Sequence, residues 1–277
     1  MNRKIIFLDI DGTLTEPGNN IPPESAVKAI EEARANGHLV FLCTGRNYDM
    51  MKPVMSFPLD GFVASSGGYV SCGDELIYDC PMTAEQQVKV LDTLRANGVF
   101  CTVECVDGSY TDEGFKEFLA AHAEEEGNSE LLRWRKQIEK SLRIRPMNEY
   151  DGAPVYKVVC MSPTREGLVN SGEALKEEFN MVIQNMQGTG IYNGEVVNLA
   201  FDKGQAVKRV CEFLNIPITD SIGFGDSNND REMLETVGTA VVMANGSPEM
   251  KAIADVVCPA VTEDGMARQF RELGLID

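Results

Sequence analysis

Two aspartates one residue apart, Asp9 and Asp11, close an apolar run, Ile5 to Leu8, that needs no charge at its end in order to fold. Side chains two apart in an extended segment project to one face. The pair is therefore expected to point together beyond the carboxyl end of a strand, where open α/β sheets put their ligands. Like charges that close are costly unless a cation or a proton neutralises one of them. Gly12 lets the backbone turn sharply, and Thr13 adds a hydroxyl. Taken alone, the stretch reads equally as a charged site or as a solvated acidic turn after a strand.

Three further segments fall at expected strand ends and helix starts. Thr44-Gly45-Arg46 follows the apolar strand Leu39 to Cys43, and by itself it reads as a plain turn. Lys203-Gly204 opens a helix, where a lysine opposes the helix dipole, so a solvated lysine competes with a functional one. Gly225-Asp226-Ser227-Asn228-Asn229-Asp230 ends another strand. Ser227 with Asp230 fits a helix capping box, and a capped helix start is itself hospitable to anions. A calcium loop is excluded there, because Arg231 stands where the loop needs glycine and Val237 where it needs glutamate.

The elements that must position these segments run strand, helix, strand, helix. A helix from Pro22-Pro23-Glu24-Ser25 through Asn36 is ended by Gly37, a second runs from Tyr48 towards Phe57, and Gly61 to Ala64 is a short strand. That order implies right-handed crossovers and a parallel sheet. Ser65-Ser66-Gly67-Gly68 marks a loop, and Tyr69 to Tyr78 reads as a hairpin. Near Pro81 the character changes. Thr83 is placed to cap a helix over 84–97, alternating strand material follows over 99–110, and a helix from Asp112 gives way to Glu124-Glu125-Glu126-Gly127. Strands over 155–161 and 180–186 flank a helix over 164–179. The alternating pattern is expected to return at Val196 to Leu199, followed by helix Lys203 to Leu214, strand Ile218 to Phe224, helix 228–236, strand 239–243 and helix 248–254. The expected fold is a doubly wound, Rossmann-like parallel-sheet α/β core over 1–82 and 189–277. An inserted α+β domain over 83–188 would hinge near Pro81 and Gly188.

The bulk composition narrows the partners. The chain has 277 residues, 43% of them hydrophobic, and a net charge of −18, which argues against nucleic acid and anionic membranes. A phosphorylated or carboxylated substrate is unwelcome too unless a local cation captures it. The apolar run after Met1-Asn2-Arg3-Lys4 is too short for a signal peptide, and no later stretch is long enough to span a membrane, so a cytoplasmic location is expected. Eight cysteines form no C-x-x-C pair and read as buried reduced thiols; Cys101 and Cys105 lack the neighbours that would complete a zinc set. One basic stretch, Arg133, Arg135, Lys136, Lys140, Arg143 and Arg145, runs against the acidic average. A surface that captures anionic substrates is one reading; a solvated helix face paired with Glu124–Glu126 and Glu130 is the better one.

Taken together, the four segments resemble the four motifs of the haloacid dehalogenase-like superfamily, more narrowly its Cof-like phosphatases with a B-type C2 cap inserted between the second and third motifs. D-x-D-G-T-L and G-D-x-x-N-D are intact and in order, whereas Ser66-Gly67-Gly68 stands where many relatives carry Asn-Gly. The resemblance implies that Asp9 is the nucleophile, forming an aspartyl-phosphate, and that Asp11 is the acid and base. It implies Mg²⁺ held by Asp9, the main-chain carbonyl of Asp11 and Asp226, with support from Asp230. Thr44, Gly45, Lys203 and Asn229 would hold phosphoryl oxygens. A small phosphorylated metabolite is the implied substrate, a sugar phosphate or a phosphorylated cofactor precursor; neither the metabolite nor the oligomeric state is specified. A phosphomutase resembling the phosphomannomutases and a non-catalytic phosphometabolite sensor are the alternatives. Other phosphatase chemistries lack their parts, since the chain has two histidines, no R-H-G and no cysteine six residues before an arginine. There is no P-loop, and Gly188 to Gly194 misses the dinucleotide spacing by one residue.

Overall fold

The computed structural model describes residues 3–115, 117–118, 144–186 and 191–277. In chain order the strands are β1 (Ile5–Leu8), β2 (Leu39–Cys43), β3 (Gly61–Ala64), β4 (Tyr69–Cys72), β5 (Glu75–Asp79), β6 (Phe100–Cys105) and β7 (Gly108–Thr111). They continue as β8 (Ile144–Pro146), β9 (Val155–Ser162), β10 (Phe179–Met186), β11 (Ile191–Asn198), β12 (Ser221–Gly225), β13 (Thr239–Met243) and β14 (Val256–Cys258). The helices are α1 (Glu24–Ala35), α2 (Tyr48–Met51), α3 (Ala84–Ala96), α4 (Arg165–Leu175), α5 (Lys203–Phe213), α6 (Arg231–Thr236), α7 (Pro248–Ala252) and α8 (Gly265–Glu272). Two compact units result, one of Met1–Arg46, Met51–Asp79 and Phe201–Asp277, the other of Asn47–Met50 and Cys80–Ala200.

The first unit is built on an eight-stranded sheet in the order β14-β13-β12-β1-β2-β3-β4-β5. Pairing is parallel from β14 to β3, and the β4–β5 hairpin adds an antiparallel edge. Strands buried on both faces read as unbroken apolar runs rather than as alternation, and Ile5 to Leu8 are all fully buried. Ile5 and Phe7 join Phe41, Val207, Val210 and Met233 in one cluster, which draws on α5 and α6. α1 packs on α8, and Phe224 of the central strand β12 meets Phe270 of α8 at 5.4 Å between ring centroids.

The second unit is a six-stranded sheet, β10-β11-β9-β6-β7-β8, antiparallel except for the β7–β8 pair. Val90, Leu91 and Leu94 of α3 and Leu168 and Leu175 of α4 pack on Val103, Val158 and Val196. Thr83 caps α3 reciprocally: its Oγ1 accepts from Gln86 N–H at 3.2 Å, and its own N–H donates to Gln86 Oε1 at 3.1 Å.

Several local expectations are corrected. Helix Tyr48 to Phe57 stops at Met51, and helix 164–179 stops at Leu175. The run Val196 to Leu199 was expected to rejoin the core sheet. It is instead the end of β11, paired along its length with β10 and with β9. A short apolar run carries no label for the sheet it enters; the hairpin register from Phe179–Asn198 to Met186–Ile191 decides it. The second unit therefore extends to Ala200. Arg133, Arg135, Lys136, Lys140, Arg143, the Glu124–Glu126 break, Glu130 and the Gly188 hinge lie outside the described residues. Arg145 is described, with its guanidinium 4.2 Å from the Tyr110 ring centroid.

Candidate active site

β1 is the strand at which the order of the parallel sheet reverses, with its sequence successor β2 on one side and the late strand β12 on the other. Such a switch point opens a crevice at the carboxyl ends of the strands. Leu8 is in register with Phe224, and Asp9 N–H donates to Phe224 O at 3.0 Å, so the ladder carries Asp9 just past β1 beside Gly225-Asp226. The chain then turns: Leu14 N–H reaches Asp9 O at 3.2 Å and Ile10 O at 3.0 Å. The two carboxylates are held by different side chains. Each meets its own cation.

For Asp9 that cation is Lys203, at the first turn of α5. Lys203 Nζ lies 2.8 Å from Asp9 Oδ1 and 2.5 Å from Asp230 Oδ1, with all three side chains buried. Its position at a helix start is made tolerable by Asp202, whose Oδ1 accepts from Gln205 N–H at 2.7 Å and caps the helix. Gly204 permits the approach. A Cβ there would lie 2.3 Å from Glu232 O in α6, so α5 can press against the helix that Asp230 immediately precedes. Burial alone would lower the pKa of Lys203; the charges of Asp230 and Asp9 outweigh it and hold the ammonium protonated above its ordinary range. Asp230 also binds through its second oxygen, which accepts from Asp226 N–H at 3.0 Å and Ser227 N–H at 3.1 Å. The capping role of Asp230 and its link to Lys203 thus coexist.

Asp226 sits against the turn after β1. Gly12 adopts φ +87°, and a Cβ on it would lie 2.3 Å from Asp226 Oδ2, so only glycine allows this contact. Burial, and then the charge of Asp230, raise Asp226 to about 7, with Lys203 opposing. Asp9 is raised well above the ordinary carboxylate range, by burial first and then by Asp230, again against Lys203. Asp9, Asp226 and Asp230 each offer an oxygen within 4.8 Å of the others. Three carboxylates against one lysine leave two negative charges uncompensated in a mostly buried, oxygen-rich pocket, which suits a hard divalent ion. Asp230 is the most heavily engaged of the three, with one oxygen on Lys203 and the other accepting two main-chain N–H groups. The Asp11 carboxylate is outside this group, so any part it takes in holding metal falls to its main-chain carbonyl.

Asp11 is gripped by Arg46, whose Nε lies 2.8 Å from Oδ2 and whose terminal nitrogen lies 2.8 Å from Oδ1. Arg46 is buried, and its other terminal nitrogen donates to Asn20 Oδ1 at 2.7 Å. The sequence assigns Arg46 no role of its own; its signal there is an arginine directly after a strand-end turn. Thr44 is buried at the end of β2, and its Oγ1 accepts from Arg46 N–H at 3.2 Å. Gly45 lies between them. Ser66 N–H donates to Thr44 O at 3.0 Å, which seats the Ser65–Gly67 turn on this segment. Asn229 is exposed on the turn before α6, and its Oδ1 accepts from the Ser227 hydroxyl at 2.7 Å, so its side chain is not drawn into the lysine–carboxylate cluster. Asn245 was not foreseen. Its Nδ2 donates to Gly12 O and to Asp226 Oδ2, each at 2.9 Å, and nothing local in the sequence signals it.

A family model described as haloacid dehalogenase-like hydrolase matches residues 6–270. YkrA of Bacillus subtilis (strain 168) is 30% identical over 285 residues, covering 100% of both chains. The 5-amino-6-(5-phospho-D-ribitylamino)uracil phosphatase YwtE of the same organism is 26% identical over 283 residues, covering 95% of this chain and 96% of its own. Among solved structures, the haloacid dehalogenase subclass IIB sugar phosphatase BT4131 superposes with a TM-score of 0.74 at 22% identity, over 99% of this chain and 100% of that one. That last likeness shows the α/β fold.

Proposed function

The chain belongs to the haloacid dehalogenase-like hydrolases as a phosphatase, and we propose that it hydrolyses small phosphorylated metabolites, with Mg²⁺, through a phosphoryl group carried on Asp9. The observation that carries this reading is Lys203 Nζ seated between Asp9 and Asp230, with Asp226 beside them. A carboxylate oxygen of Asp9 attacks phosphorus as the bond to the leaving oxygen breaks, and Asp11 gives that oxygen a proton. Asp11, now a carboxylate, takes a proton from water. The water oxygen attacks the aspartyl-phosphate, phosphate departs and Asp9 is regenerated. Arg46 holds both oxygens of Asp11, so it aims the carboxyl and must yield one bond for proton transfer. In this reading Thr44, Gly45 and Lys203 hold the phosphoryl oxygens, and Asn229 joins them only by turning away from the Ser227 hydroxyl that it accepts from.

When bound, the ion supplies charge neutralisation for a phosphate dianion facing carboxylates. Asp9, Asp226 and the Asp11 carbonyl would hold it, with Asp230 bracing the loop from behind. Cys43 lies near Lys203 but is no rival nucleophile, because burial pushes its thiol far up. The substrate class, sugar phosphates or a phosphorylated cofactor precursor, is supported by the names of YwtE and BT4131. The insert, placed by sequence over 83–188, serves in this reading as the cap that selects the metabolite. A cytoplasmic location is supported by eight free cysteines; among the described residues no helix is long and apolar enough to cross a membrane.

The test is phosphate release from an aryl phosphate by wild type and Asp9→Asn, each with Mg²⁺ and with a chelator. The expected result is activity that needs Mg²⁺ and falls about 10³-fold or more in the variant. Activity surviving in Asp9→Asn removes Asp9 as nucleophile. Isomerised sugar phosphate without free phosphate, seen when a bisphosphate is added, transfers the chain to the mutases.

A further inference from the structure

Asn245 has no part in the phosphoryl-transfer scheme, yet its amide is tied to two pieces of the same site. The turn after β13 is closed by Gly246 N–H donating to Met243 O at 2.8 Å. Lys251 steadies the turn, with Nζ donating to Ala244 O at 2.6 Å. The turn delivers Nδ2 of Asn245 to Gly12 O and to Asp226 Oδ2, both at 2.9 Å, and one amide has the two N–H groups needed for both. The two oxygens of Asp226 are therefore unequal. Oδ2 is taken by a short bond from Asn245, whereas Oδ1 has a long contact of 3.4 Å from the Thr13 hydroxyl.

We propose that Asn245 makes Asp226 a one-oxygen ligand and thereby selects magnesium over calcium. The inference rests on the reading that the site uses a divalent ion. Mg²⁺ takes six oxygens at short, near-octahedral distances, and one oxygen from each carboxylate suits it. Ca²⁺ takes six to eight and often grips a carboxylate by both oxygens. Asp226 can offer Oδ1 while Oδ2 stays bonded to Asn245; two-oxygen coordination would break that bond and release the tie to the Gly12 turn. Residues that hold a ligating carboxylate from behind commonly change metal affinity about 10–100-fold when removed.

The test is calorimetric titration of the metal-free protein, without substrate, with Mg²⁺ and separately with Ca²⁺, for wild type and Asn245→Ala. Expected is a loss of Mg²⁺ affinity of about tenfold or more, with Ca²⁺ affinity held or improved, so that the Mg²⁺ preference collapses. Equal loss for both ions, or no loss for either, overturns the inference. A wild type that binds neither ion overturns it together with the metal reading beneath it, and that failure is visible before any variant is made. Melting in chelator checks that the variant folds as wild type does; should Asn245→Ala not fold, Asn245→Ser, with a donor on a shorter arm, replaces it under the same expected outcomes.

Discussion

Asp226 is a carboxylate whose surroundings favour its proton until a cation arrives. Its pKa stands at about 7, raised by burial and by Asp230, against an ordinary value of 3.8. The sign of the consequence follows from linkage. Below about pH 4 the group is protonated whether the chain is folded or not, and its contribution to stability is fully present. Between there and about 7 the folded state retains a proton that the unfolded chain gives up, so stability falls as pH rises and the loss is complete above 7. Asp9 is shifted in the same direction and adds to the trend. A bound divalent ion competes with that proton. In chelator, the melting temperature is expected to fall as pH is raised through this window, and the increase produced by Mg²⁺ should be larger at about pH 8 than at about pH 6. An Mg²⁺ effect independent of pH would separate the ion from Asp226.

At the scale of elements, the site depends on how closely α5 and α6 approach. Gly204 faces Glu232 O so tightly that a methyl group has no room, with Thr236 Oγ1 a further 2.6 Å neighbour. Gly204→Ala would ordinarily favour a helix, but here the two helices must separate. Overpacking of this kind costs about 1–3 kcal/mol. It would also draw Lys203 from Asp230, so the substitution is expected to lower both the urea midpoint and kcat, with KM changed less. A variant more stable than wild type would show that the helices have slack. In the second unit, α3 depends on its own reciprocal cap at Thr83.

Over the whole molecule, the net charge of −18 opposes the approach of an anionic substrate, while the site itself offers Lys203 and Arg46. The long-range field acts on encounter and is screened by salt; the buried contacts are screened much less. Raising ionic strength from about 0.01 M to about 0.15 M shortens the Debye length from about 30 to about 8 Å. With Mg²⁺ held saturating, kcat/KM for a dianionic phosphate ester is therefore expected to rise, on the order of twofold. Initial-rate kinetics across that range check it. A fall would mean that the local cations, not the acidic surface, govern encounter.

What the sequence determined by itself was local. Apolar runs and their terminators marked β1, β2, β3 and β13, helix starts were marked by Thr83 and Ser247, and the acidic and glycine-bearing segments stood at the ends of those elements. Such signals depend on neighbours within a few residues, which the chain carries in order. The order of the motifs was enough to indicate a doubly wound core. Tertiary structure alone decided which charges meet. Lys203 and Asp9 are 194 residues apart in the chain, and Asn245 and Gly12 are 233 apart, so no spacing rule links them. It also gave Asp9 and Asp11 different cations, Lys203 and Arg46, and it sent β11 into the second sheet. Those outcomes depend on register and on helix approach, and a residue's type does not encode either one until the strands have paired.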